Sequence, residues 1–242
     1  LNLVNAIVEN NQADGQGGGY VFPALPNGRG HAEGTDRQDQ EGGDVVRIPT
    51  DPPIPTALAM RRSQEEDSIL NIGYEIGKSL KLLGISINLA PVLDISSPFL
   101  VSFIQTRSFG DSPQLVSMMA KQFSMGLNKA QVAATAKHFP GLGSSNKDTH
   151  KSAVISQFTK EEVKEFLKPY KDLINKNAVQ AIMLTHLIYP NLDSEQKPAT
   201  FSPAISKLAR EIGFNGIIMT DDVEMAGAQL YKTPDKRVLE AF

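Results

Sequence analysis

With 242 residues, of which 40% are hydrophobic and 21% charged, the chain has the composition of a globular protein with one large domain or two small ones. A net charge of -3 argues against a nucleic-acid partner, and the absence of cysteine excludes disulfides and thiolate metal sites. No apolar run approaches the roughly 20 residues that span a bilayer, so no transmembrane segment is expected.

In chain order, the first 38 residues stand apart. The stretch GQGGGYVFPALPNGRGHAEGTDRQ is rich in Gly and Pro, with one brief apolar island at Tyr20-Val21-Phe22. It predicts a disordered or loop segment, since it cannot supply a buried strand of normal length. Ser63-Gln-Glu-Glu66 then reads as a capping box for a helix with apolar positions at Ile69, Leu70, Ile72, Ile76, Leu80 and Leu83, stopped by Gly84. ISINLAPVLDI (85–95) predicts a strand that is apolar on both faces, as a buried parallel strand is. A helix over 112–127, ending near Gly126, and a strand over 131–139 follow. Thr159-Lys-Glu-Glu162 is a second capping box, opening a helix to about Asn175. AVQAIMLTHL (178–187) predicts a strand. Ser202-Pro203 starts a helix that ends at Gly213, and NGIIMTDD (215–222) predicts the last strand. Four strands alternating with four helices make an α/β pattern, with the parallel strands in a barrel or an open sheet.

Ionisable residues recur just after the apolar strand runs: Asp94, then Lys137-His138, His186 and Asp221-Asp222. In a barrel the C-terminal strand ends form one face, so these residues are expected to converge. Asp221-Asp222 taken alone also fits a helix N-cap with a first-turn acid. As catalytic groups, paired with a proton donor, they suit glycoside hydrolysis, in which a carboxylate attacks or stabilises an oxocarbenium-like centre. The loop GLGSSNKDTH supplies a donor: Asp148 two residues from His150. A carboxylate beside an imidazole orients it for general acid and base work. Lys137, His138, Arg107 and Arg47 are donors for a neutral polyol. His186 reads as a hydrogen-bonded structural residue near the site.

Together, DQEGGDVVRIP (39–49), NLAPVLDI (88–95), RSFGDSP (107–113), KHFPGLGSSNKDTH (137–150), MLTHLIYPNLD (183–193), PATFSP (198–203) and GFNGIIMTDDVEMAG (213–227) resemble glycoside hydrolase family 3, in its NagZ-type β-N-acetylglucosaminidase branch. The resemblance implies a (β/α)8 TIM-type barrel. It implies a retaining exo-glycosidase that hydrolyses terminal non-reducing β-N-acetylglucosamine in peptidoglycan turnover. Asp221 is then the nucleophile, His150 the acid/base and Asp148 its dyad partner. Asp39, Arg47, Arg107, Lys137 and His138 are the implied sugar-binding residues. A carbohydrate is the implied partner, and no metal or organic cofactor is expected. A family 3 β-glycosidase of other sugar specificity, or an inactive barrel fragment that only binds sugar, are the alternatives. Two departures stand out. GRGHAEGTDRQ, ahead of Asp39, is not a strand pattern, and the sequence stops at RVLEAF where the family continues. The expected architecture is therefore a segment outside the barrel over 1–38 and a barrel domain over 39–242, incomplete at both ends. Because the chain starts at Leu1 rather than methionine, its compartment, cytoplasmic or exported, stays open.

Overall fold

The computed structural model describes residues 37–63, 66–96, 104–142, 154–228 and 233–241. β1 (Arg37–Gln38) leads into an antiparallel pair, β2 (Gln40–Gly42) and β3 (Val45–Val46). After these come β4 (Ile87–Asn88), β5 (Ala133–Phe139), β6 (Ala181–Leu184) and β7 (Ile217–Thr220). β1, β4, β5, β6 and β7 lie side by side in that order, and every pairing is parallel. The helices are α1 (Ala57–Ser63), α2 (Glu66–Leu82), α3 (Pro113–Lys129), α4 (Lys160–Ile174), α5 (Pro203–Glu211) and α6 (Pro234–Ala241). A helix thus connects each strand of the sheet to the next, which is the α/β architecture with a parallel sheet. Among the described residues, β1 and β7 are the two edges of that sheet, and no helix is long and apolar enough to cross a membrane.

The first strand departs from the sequence reading, which expected none ahead of Asp39. Arg37 and Gln38 pair with Ile87 and Asn88, so the sheet begins two residues inside the segment assigned to 1–38. Backbone contacts make this strand. The Leu89 N–H donates to the Gln38 carbonyl at 2.7 Å. The buried Asn88 amide accepts from the Gln40 N–H and donates to the Gln40 carbonyl, both at 3.0 Å. Asp39 is therefore held on either side. The Tyr20-Val21-Phe22 island lies outside the described residues.

The run 85–95 pairs as a regular strand over two residues only. Beyond Asn88 it still exchanges backbone bonds with β5: Thr135 N–H to Ala90 O, Lys137 N–H to Pro91 O and Leu93 N–H to Lys137 O. Pro91 has no N–H to give, so the regular ladder breaks there. α3 begins at the Ser112 cap as the sequence predicts but runs past Gly126 to Lys129. At Thr159 both capping-box bonds form, at 2.8 and 3.1 Å. Ser202 caps α5, with Pro203 in its first turn. The helical region before Glu66 starts earlier than expected, because Thr56 Oγ1 accepts from the Ala59 N–H at 3.0 Å and α1 follows. Ser63 is thus the last residue of a helix, and positions 64 and 65 of the first expected capping box lie outside the described residues.

Strand alternation sorts the side chains. Ala134, Ala136, Ile182 and Leu184 join the large core with the helices, where α2 packs on α3 and α3 on α4. Ala181, Met183 and Met219 form a second cluster with Leu89 and Ile217. These residues lie on the opposite face of the sheet. Lys137 is in register with Met183, which places it on that second face.

Candidate active site

Five segments bring their ionisable residues to the C-terminal ends of the parallel strands. Asp39 follows β1, Asp94 follows β4, Lys137 and His138 close β5, His186 follows β6 and Asp221 follows β7. Lys137 is the hub. Its ammonium donates to Asp39 Oδ1 at 2.6 Å and lies 2.6 Å from Glu41 Oε1. Glu41 also takes Arg107 in a two-pronged bond, Nε to Oε2 at 2.7 Å and Nη2 to Oε1 at 2.6 Å. Glu41 and Lys137 are both buried, so each charge needs the other. Burial alone would raise the Glu41 carboxyl, but Lys137 and Arg107 hold it down at about 2. For Lys137, burial pulls downward, yet Glu41 and Asp39 keep its pKa above the usual lysine value.

Asp94 is the second organiser. Its carboxylate is fully buried and takes three bonds. His138 gives Nδ1 at 2.7 Å and its backbone N–H at 3.2 Å, while Leu142 gives its N–H at 2.7 Å. A carboxylate only accepts, so the His138 ring presents Nδ1–H to Asp94 and directs Nε2 elsewhere. The Lys137–His138 peptide is cis, and the register with β6 shifts between Lys137 and Phe139.

The Asp221-Asp222 pair divides its work. Ile217 and Met219 belong to the second face, and alternation carries Asp221 to the same face as Lys137. The Asp221 N–H donates to the Leu184 carbonyl at 3.1 Å, holding the strand end. Asp222 is exposed, and its carboxylate caps the next turn by accepting from the Glu224 N–H at 2.8 Å. The helix-cap reading of an acidic pair therefore fits Asp222 and not Asp221. The Asp222 N–H donates to Asp221 Oδ1 at 2.9 Å. Burial would raise the Asp221 carboxyl, but His138, that N–H and Lys137 hold it below the usual range. It stands ionised at neutral pH.

Residues 35–242 match the family described as Glycosyl hydrolase family 3 N terminal domain. The chain belongs to glycosyl hydrolase family 3. The β-hexosaminidase of Shewanella frigidimarina is 36% identical over 200 residues, which cover 78% of this chain and 58% of that protein. The β-hexosaminidase of Idiomarina loihiensis is 34% identical over 212 residues, covering 84% of this chain and 62% of the relative. The chain thus spans about three fifths of the length of these relatives. Among solved structures, a family 3 β-N-acetylglucosaminidase from a Paenibacillus species superposes with a TM-score of 0.77 at 32% identity, over 85% of this chain and 40% of that one. Native NagZ from Neisseria gonorrhoeae gives 0.75 at 28% identity, over 85% and 61%.

Of the family 3 residues expected from sequence, Asp39, Arg107 and Lys137 meet in one network. His138 lies close enough to Asp221 to lower the pKa of its carboxyl. Arg47 is exposed and stands outside that network; its backbone N–H donates to Gln40 Oε1 at 2.8 Å. Asp148 and His150 lie outside the described residues. Sequence reasoning passed over Glu41 and did not assign Asp94 its partner. The signal for Glu41 was charge balance, because the buried Lys137 and the partly buried Arg107 need two carboxylates and Asp39 is one. His186 is wholly buried and hydrogen-bonded, as expected of a structural residue near the site. Among the described residues, no group of three or more His, Asp or Glu side chains is arranged to hold a metal ion.

Proposed function

We propose that this chain carries the catalytic domain of a retaining exo-glycosidase that releases terminal non-reducing β-N-acetylglucosamine, with peptidoglycan fragments as its natural substrates. The observation that carries the reading is Asp221, ionised at the end of β7 and directed to the face that holds Lys137. The names of the β-hexosaminidase relatives support the sugar. We read the five parallel strands, in chain order without reversal, as an arc of a (β/α)8 barrel. A doubly wound sheet would reverse its strand order at a switch point.

In this mechanism an Asp221 oxygen attacks the anomeric carbon as the glycosidic bond breaks, and His150 gives its proton to the leaving oxygen. His150, now neutral, takes a proton from water, whose oxygen displaces Asp221 from the sugar. Asp148 orients the imidazole. Asp39, Arg47, Arg107, Lys137 and His138 bind the terminal sugar. The ammonium of Lys137 has three protons, and Asp39 and Glu41 engage it from two sides. It therefore offers a hydrogen bond rather than an unbalanced charge, which suits a neutral sugar.

The test is release of para-nitrophenol from its N-acetyl-β-glucosaminide by the parent, Asp221→Ala and His150→Ala. Turnover by the parent that vanishes in Asp221→Ala and falls in His150→Ala is expected, with β-configured sugar as the first product by NMR. Turnover of the β-glucoside in preference to the N-acetylglucosaminide would replace the sugar assignment. A parent that melts cooperatively and turns over neither compound would reject the activity for this chain.

A further inference from the structure

The imidazole of His186 does more than fill the core. It is completely buried and stacks on Phe201, with ring centroids 6.5 Å apart and planes inclined by 23°. Its Nε2 lies 2.8 Å from the carbonyl of Asp222, and its Nδ1 lies 2.9 Å from Thr200 Oγ1. A carbonyl oxygen can only accept, so Nε2 carries the proton. Burial lowers the pKa of the ring, against the opposing pull of Asp221 and Asp222, and His138 lowers it further. The ring is therefore neutral, and Nδ1 is an acceptor. Thr200 has one hydroxyl proton and three acceptors in reach: His186 Nδ1, the Thr185 carbonyl at 3.0 Å and the Leu184 carbonyl at 3.3 Å. The Nε2–H tautomer directs that proton to Nδ1, because two lone pairs would otherwise face each other.

Asp222 stands between this pair and Asp221. On one side its carbonyl is held by His186; on the other its N–H donates to Asp221 Oδ1 at 2.9 Å. Rotating the backbone of Asp222 would turn that N–H away from the carboxylate. The Thr200 end is rigid too, since its own N–H donates to the Thr185 carbonyl at 3.0 Å. We propose that His186 and Thr200 are positioning residues that lock the backbone of Asp222 and so aim the Asp221 carboxylate. This rests on Asp221 being the nucleophile. A histidine that is merely a satisfied core residue would matter for stability alone.

Three variants of the full chain and one spectrum test the proposal. His186→Phe keeps a flat ring against Phe201 and removes both nitrogens. His186→Gln returns an N–H donor, and Thr200→Val removes the hydroxyl. With the para-nitrophenyl N-acetyl-β-glucosaminide, His186→Phe is expected to lower kcat by about 10- to 100-fold, as a misaimed reacting group does. KM should stay within about twofold, because sugar binding is untouched. His186→Gln should recover most of the loss, and Thr200→Val should show a smaller fall in kcat. Unchanged kcat in His186→Phe, or loss that glutamine does not recover, would overturn the proposal. The histidine side-chain nitrogen spectrum of the parent reads the tautomer whether or not any variant folds or the parent turns over. At about pH 7 His186 should be neutral with Nε2–H, and an Nδ1–H or charged ring at that pH would overturn the proposal equally. Asp221→Asn separates the two ideas. If it stays active, the nucleophile assignment fails; if it is inactive while His186→Phe is normal, only the positioning role fails.

Discussion

Glu41 shows how a single carboxylate can hold a site together. Glu41→Gln keeps the shape and drops the charge, leaving Lys137 with Asp39 alone and Arg107 without its two-pronged acceptor. Breaking a buried pair from one side costs about 3–5 kcal/mol, because the remaining charge is stranded. Urea denaturation should show that loss, and KM for the aryl glycoside should rise as the two cations lose their aim. A variant with the parent's urea midpoint and KM would mean that water or Asp39 substitutes for Glu41. The residues of this network differ in how readable they were. Lys137 and His138 follow an apolar strand run and so announce themselves. Asp221 was distinguishable from Asp222 by parity, since Ile217 and Met219 share its face. Glu41 gave no such signal: its partners lie 66 and 96 positions away in the chain, and only charge balance at a buried site demands it.

Between elements, the crossing of α2 and α3 is made by two glycines. A Cβ on Gly73 would overlap the carbonyl oxygen of Phe123, and one on Gly126 would overlap the carbonyl oxygen of Leu70. Both obstacles are backbone, so neither can swing aside. Gly73→Ala and Gly126→Ala should each destabilise by about 1–3 kcal/mol, against the gain that helix propensity alone would bring. The two share one contact, so the double variant should cost less than the sum. Gly213→Ala is the comparison, with φ at +92° and nothing within 4 Å; its cost, about 1 kcal/mol, would be conformational. A stabilised Gly126→Ala in urea titration would show that the helices do not meet so closely. The same glycine explains a misread boundary. Sequence placed the end of α3 near Gly126, because glycine weakens a helix, whereas here it serves close approach. Caps read more truly, since Thr159 with Glu162 and Ser202 with Pro203 act within one turn. β1 was illegible for the opposite reason. Its two residues are held by the backbone of β4 and the Asn88 amide, which leave no periodic trace in Arg37-Gln38.

Across the whole molecule, the buried ionisable groups set the pH range of stability. Glu41 is held at about 2, below its ordinary 4.5. It therefore contributes stability that is complete above about pH 4.5 and is lost as the pH falls towards 2. Asp221, lowered from 3.8, acts in the same direction as the pH falls below about 3.8. His186 adds an earlier step. Its pKa is lowered from 6.5, so below that pH the unfolded chain binds a proton that the buried ring resists. Stability should begin to fall as the pH drops through 6.5, then fall more steeply below 4.5. On the alkaline side Lys137 is raised above 10.5 and the buried Tyr170 and Tyr189 well above 10.0. All three favour the folded state below about pH 10 and lose their contribution as the pH climbs further. Tm measured from pH 3 to 11 should therefore have a plateau between about 6.5 and 10, with both shoulders assigned by variants. Glu41→Gln should flatten the step below about 4.5 and His186→Gln the one below about 6.5, while the alkaline shoulder stays in both. A Tm that rises from pH 7 to 5 would contradict the neutral, buried imidazole on which the aim of Asp221 depends.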